Sequence, residues 1–221
     1  MSTRKVTALA VGSIVLIAGC SDGGTDAKSD ARTATTESSP TVSAPTFSKF
    51  ADFPGKDFVT VEPGTNLGVR VKGVDTVWTP ELAGKSADPG KHFVAVYVAV
   101  TGELADRGVE KVKLDYLRLK FTSTTQKCGP RGDRDVCHFE AYPSTRLEQV
   151  ADGEWRNTSW TETISGTDLE RGETKIGVIG FSLPDTETAT SFELCGPTKD
   201  ARVDYDRFPC APIKAPDRTA S

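Results

Sequence analysis

From about Phe47 to Ile213 the chain alternates apolar and polar residues with a period of two, and helical spacing is almost absent. In His92–Val100, Val94, Val96, Val98 and Val100 share one face while Phe93, Ala95, Tyr97 and Ala99 take the other. A strand apolar on both faces belongs at the centre of a sheet. Lys175–Leu183 has the same character, with Gly177 and Gly180 leaving room for a close approach or a bulge. In Tyr116–Thr122, Leu117, Leu119 and Phe121 alternate with Tyr116, Arg118 and Lys120, which predicts one wet face. Asn66–Trp78 begins with Val69 and Val71 inward and Arg70 and Lys72 outward, and Val74 reverses that parity after Gly73, as a bulge does. Asp57–Glu62, Trp155–Ile164, Ser191–Cys195 and Ala201–Arg207 are shorter predicted strands, and Val109–Leu114 is predicted as a helical turn. Turn residues punctuate them at Pro63-Gly64, Asp88-Pro89-Gly90, Asp152-Gly153 and Pro184-Asp185. About seven to nine short strands so spaced predict an all-β sandwich over 51–213, with 214–221 a disordered tail.

Three stretches resemble a known family. Gly90-Lys91-His92-Phe93-Val94-Ala95-Val96-Tyr97-Val98 is similar to the Gly-Lys-aromatic-Val-x-Val strand of telokin-like, immunoglobulin-like domains found in Gram-positive lipoproteins and secreted antigens. Gly68–Val74 resembles that family's first long strand. Leu169-Glu170-Arg171-Gly172-Glu173-Thr174 with Ile179-Gly180-Phe181-Ser182-Leu183-Pro184 resembles its closing hairpin. The likeness spans about 57–195 and departs at Thr101-Gly102, where the family has an asparagine. It implies an immunoglobulin-like sandwich and carries no catalytic residue.

The amino end has a different pattern. Arg4 and Lys5 precede the uncharged apolar stretch Val6–Ile17, and Ile17-Ala18-Gly19-Cys20 follows. A positive start, an apolar stretch and small residues make an export signal, and this stretch is shorter than the roughly 20 residues that span a bilayer. The segment resembles the lipobox of bacterial lipoproteins. That resemblance implies removal of 1–19, diacylglycerol on the Cys20 sulfur, and a membrane partner reached through that lipid on the extracytoplasmic face. The block 20–50 is then lipidated cysteine plus linker. From Ser21 to Thr46 it is nearly all Ser, Thr, Ala, Gly, Asp and Pro, which predicts disorder with a reach near 30 Å, roughly that of a 26-residue coil.

Charge narrows the partners. The chain carries 27 Lys and Arg against 31 Asp and Glu, and losing Arg4 and Lys5 takes the balance from −4 to −6. A mildly acidic surface argues against nucleic acid.

Beyond Cys20 there are four cysteines, an even number in an exported domain, which reads as two disulfides. Cys128–Cys137 and Cys195–Cys210 are the expected pairs, because each brackets a loop rich in turn residues and opens on Cys-Gly-Pro. Each closure contributes about 3 kcal/mol. Zinc is the alternative, but no Cys-x-x-Cys occurs and only His138 adjoins a cysteine.

His92 and His138 are the two histidines. A hydrolytic triad on either lacks the Gly-x-Ser-x-Gly elbow, and phosphate-loop, dinucleotide and calcium-loop patterns are missing. The expectation is a non-enzymatic binding or accessory module needing no cofactor or metal. The alternatives are a subunit docking on a membrane or wall complex and a hydrolase of unrecognised site. The candidate contact surface is the tip of the first cysteine loop, with Arg131, Asp133, Arg134 and Asp135 around an Arg-Gly-Asp tripeptide; it points to a protein or wall partner. Trp155 and Trp160 differ in parity, so on one strand one faces the core and the other solvent; an exposed ring beside polar groups can stack on sugars, and covering a sheet edge is the commoner role.

Overall fold

A computed structural model describes residues 44–219 except Gly64, Asn66 and Pro130. The expected signal 1–19, Cys20 and the linker up to 43 lie outside the described residues. The strands are β1 (Asp57–Val61), β2 (Gly68–Thr79), β3 (Glu81–Leu82), β4 (Lys85–Ser86), β5 (Lys91–Gly102), β6 (Val109–Val112), β7 (Arg118–Thr122), β8 (Val136–Glu140), β9 (Thr167–Leu169), β10 (Thr174–Pro184), β11 (Phe192–Cys195) and β12 (Cys210–Ile213). They form a β-sandwich of two four-stranded sheets, ordered β1-β2-β5-β10 and β12-β11-β7-β8, with β3-β4 and β6-β9 as two-stranded additions. All these pairings are antiparallel.

The inner faces meet in one core. Val94, Val96, Val98 and Val100 of β5 and Ile179, Phe181 and Leu183 of β10 face Leu119 and Phe121 of β7 and Phe192 and Leu194 of β11. Each such side chain fully buried contributes about 1.5–3 kcal/mol. As the two-sided apolar pattern predicts, β5 is central, between β2 and β10. Its other face is covered too: Ala99 and Ile176 lie under Phe50 and Phe53, and Ala95 and Val178 pack with Leu82. The bulge falls at its expected place, where the β2–β5 register shifts between Gly73 and Asp75. Gly177 and Gly180 mark close approach rather than a bulge, since β10 keeps an unbroken register with β5. The 142–148 segment hydrogen-bonds along the open side of β10, through Tyr142, Pro143, Thr145 and Glu148.

Several expectations are corrected. Val109–Leu114 is not a helical turn: β6 pairs with β9, burying Val109 and Val112, and β-branched side chains suit that pleated surface. Trp155–Ile164 is not a strand, because turns closed by Asn157 N–H and Thr158 Oγ1 on the Glu154 carbonyl curl the chain. Ala201–Arg207 ends in a 3-10 turn at Tyr205–Arg207, and the strand comes later, as β12. Contacts of the sandwich also extend past both ends of 51–213. Asp152 N–H donates to the Thr46 carbonyl, and buried Lys72 donates from Nζ to the carbonyls of Phe50 (3.0 Å) and Phe53 (2.9 Å), so hydrogen bonds reach back to Thr46 and Phe50 is buried, while Thr46, Phe47 and Lys49 are exposed. Past Ile213, Thr76 Oγ1 donates to the Lys214 carbonyl, Pro216 is buried and the Arg218 guanidinium stacks 4.2 Å from the Trp78 ring, so 214–219 are not a loose tail.

Candidate functional site

The two cysteine pairs are joined in the sequential order, Cys128 to Cys137 and Cys195 to Cys210. The first ties the long β7–β8 loop to β8. The second ties the end of β11 to the start of β12 and closes the 196–209 loop, which wraps Phe208 and Ala201 over the cystine as a small core. This places the Tyr205–Arg207 turn beside β8. Between β8, the 126–129 bend and residues 203–206 lies an open groove of about 770 Å³, a size that accommodates a ligand or a short peptide.

The groove has an apolar and aromatic lining. Val136 is partly exposed, Val203 is 85% exposed, and the Tyr205 ring lies 5.7 Å from His138 and 5.3 Å from the Arg118 guanidinium. Tyr205 is braced from behind by Phe208, edge to face at 5.3 Å. Ion pairs sit along the rim: Arg134 with Asp206 at 2.8 Å and Arg118 with Glu140 at 3.0 Å. At the lip, Lys127 pairs with Asp135.

His138 lies within this lining. Its side chain is only 10% exposed and its Nε2 stands 3.8 Å from the Asp206 carboxylate, too far for a hydrogen bond. Both ring nitrogens are buried and without a hydrogen-bond partner. Burial holds its pKa below the ordinary histidine value; Asp206 opposes that, and Lys120, Arg118 and Arg134 reinforce it. Burial thus favours the neutral imidazole. Among the described residues no serine or threonine hydroxyl lines the groove, and Cys128, which does, is in disulfide linkage. Among the described residues no three His, Cys, Asp or Glu side chains converge to hold a metal ion.

The expected contact residues divide. Arg134 faces the groove through Asp206, whereas Asp135 is paired with Lys127 beside it. Arg131 and Asp133 are exposed at the loop tip, and neither is in an ion pair among the described residues. His92 belongs to another cluster: its Nδ1 is 2.6 Å from Asp185 and its ring stacks on Trp78 at 5.3 Å. Both tryptophans cover the outer face of the β5 sheet, Trp155 against Phe53 and Trp160 against Tyr97. With Trp160 Nε1 donating to the Trp155 carbonyl at 3.0 Å, they are a packed pair rather than one core and one exposed ring. Sequence alternation does not point to Val203, Tyr205 and Asp206, which the fold brings to the groove. The available signal was an aromatic-bearing loop closed by cysteines, but the segment's alternation reads as a strand.

No family model matches the chain, and no curated protein matches it. Among solved structures, a Bacillus subtilis protein (ycdA) provisionally described as a lipoprotein aligns with 75% of this chain at 16% identity and a TM-score of 0.40. The chain spans 40% of that protein's length.

Proposed function

We propose that this is a lipid-anchored extracytoplasmic protein whose β-sandwich binds a partner, without catalysing a reaction, through the groove between β8 and residues 203–206. The observation that carries the reading is the build of that groove. Its two walls are loops each closed by a disulfide, so they are held in place before any ligand arrives, and little ordering free energy is spent on binding. An aromatic and aliphatic floor under a charged rim is the usual composition of a recognition surface. Ile17-Ala18-Gly19-Cys20 behind a short apolar stretch supports the lipid anchor, and the polar stretch after it suits a tether. The resemblance to telokin-like domains of Gram-positive lipoproteins agrees with that setting.

A photoreactive phenylalanine at position 203 or 136 tests the groove in intact cells, with position 164 as the control because Ile164 is 86% exposed on another surface. A discrete adduct is expected from 203 and 136 and not from 164. Equal adducts from all three, or none from the groove positions, would remove the groove from the account.

A further inference from the structure

The four edges of the two main sheets are not alike. Along β10 the open side is occupied by 142–148. On β1, Val61 N–H and Thr60 Oγ1 both donate to the Pro197 carbonyl. Beyond the end of β12, the Lys214 carbonyl accepts from Thr76 of the opposite sheet. β8 differs. Asp135 accepts from Ser123, and Ala141 donates to the Leu117 carbonyl, so the odd-numbered residues of β8 pair with β7. Successive antiparallel residues alternate in direction, so Val136, His138 and Glu140 turn their N–H and C=O groups away from β7. Among the described residues no hydrogen bond reaches those groups. The preceding outward residue, Arg134, is paired: the loop doubles back, and Cys128 exchanges both backbone bonds with it at 2.6 and 3.0 Å. This edge therefore already accepts an antiparallel neighbour at one position, and the groove opens beside it where that neighbour ends.

We propose that the partner is an extended peptide that adds to β8 as a further strand, pairing with Val136, His138 and Glu140; this rests on the groove being the binding surface. A row of alternating donors and acceptors is matched by another extended backbone. Alternate side chains of the peptide then enter the groove. Val136, Val203 and Tyr205 offer an apolar seat. With Arg134 on Asp206 and Arg118 on Glu140, Asp204 is the lining carboxylate left without an ion pair among the described residues, which favours a basic residue beside the apolar one.

A random heptapeptide library displayed on phage, selected on the full oxidised chain, supplies the probes. The recovered peptides are expected to combine a basic and an apolar residue and to slow amide exchange at Val136, His138 and Glu140 at least tenfold. Synthetic copies N-methylated at alternate positions are expected to lose binding at least tenfold for one parity and keep it for the other. Val136→Pro removes an outward N–H without breaking a bond to β7 and is expected to abolish binding. Should that variant misfold, Tyr205→Ala reports on the seat, with an expected loss of tenfold or more. Peptides that shift the Val203 and Tyr205 signals but bind equally in both N-methylated series would overturn strand addition and leave the groove reading standing. A selection that yields no binder, or binders touching no groove residue, would overturn both. Protection of the β8 amides in a peptide-free dimer would assign the edge to a second copy and end the proposal.

Discussion

The Glu187 carboxylate is held by hydroxyls and backbone amides in a fully buried position. Ser123 Oγ donates at 2.6 Å, Thr124 Oγ1 at 2.7 Å and Thr125 Oγ1 at 3.1 Å, and the N–H groups of Thr124, Thr188 and Ala189 add to them. Burial pushes its pKa up, and the hydroxyl and amide donors outweigh that, leaving it at about 2 against an ordinary 4.5. A carboxylate favoured in the folded state contributes stability that is complete above about pH 4.5 and is lost as pH falls through about 2. Glu187→Gln is accordingly expected to cost about 2 kcal/mol at pH 7, because the new amide turns donors toward donors. In urea unfolding the gap to the unaltered protein should narrow below pH 4.5 and close near 2; a gap independent of pH would refute this role. Nothing around Glu187 in sequence announces it. Its hydroxyl partners lie more than sixty positions away, in the loop after β7.

Among the elements, the long ones were the most legible. β5 and β10 bury both faces for most of their length, so their unbroken apolar character is visible without knowing the neighbours. β8 was missed because Val136–Glu140 follows a charged, turn-rich loop and its pattern is short. The 195–210 loop was misread because alternation in Ala201–Arg207 imitates a strand, whereas its cystine bends it into a cover for His138. A double substitution, Cys195→Ala with Cys210→Ala, tests that cover. It is expected to cost about 3 kcal/mol through loss of loop closure. Freed from the Tyr205 ring, His138 regains water, and its pKa should rise toward the ordinary histidine value in an NMR titration. An unchanged His138 titration would show that the cystine does not hold the cover.

On the scale of the molecule, the proposed anchor and the proposed binding groove are expected to behave as separable parts. Cys20→Ala is expected to abolish lipid labelling and to release the protein or leave it unprocessed, while the domain keeps its disulfides and its unfolding midpoint; retained lipid labelling would refute the anchor. The period-two alternation is a local property, written within stretches of about a dozen residues, so the chain by itself determined the all-β class, the central strand and the bulge after Gly73. Tertiary structure decided the rest. The groove draws on 126–129, 136–140 and 203–206, segments that meet only through sheet pairing and two cross-links. The contacts beyond 51–213 were hidden for the same reason. Phe50 and Arg218 lie in polar, turn-rich ends, and their burial and stacking depend on surfaces made by β2 and its neighbours. Pairing between distant residues depends on where the folded chain passes, which alternation along the sequence does not encode.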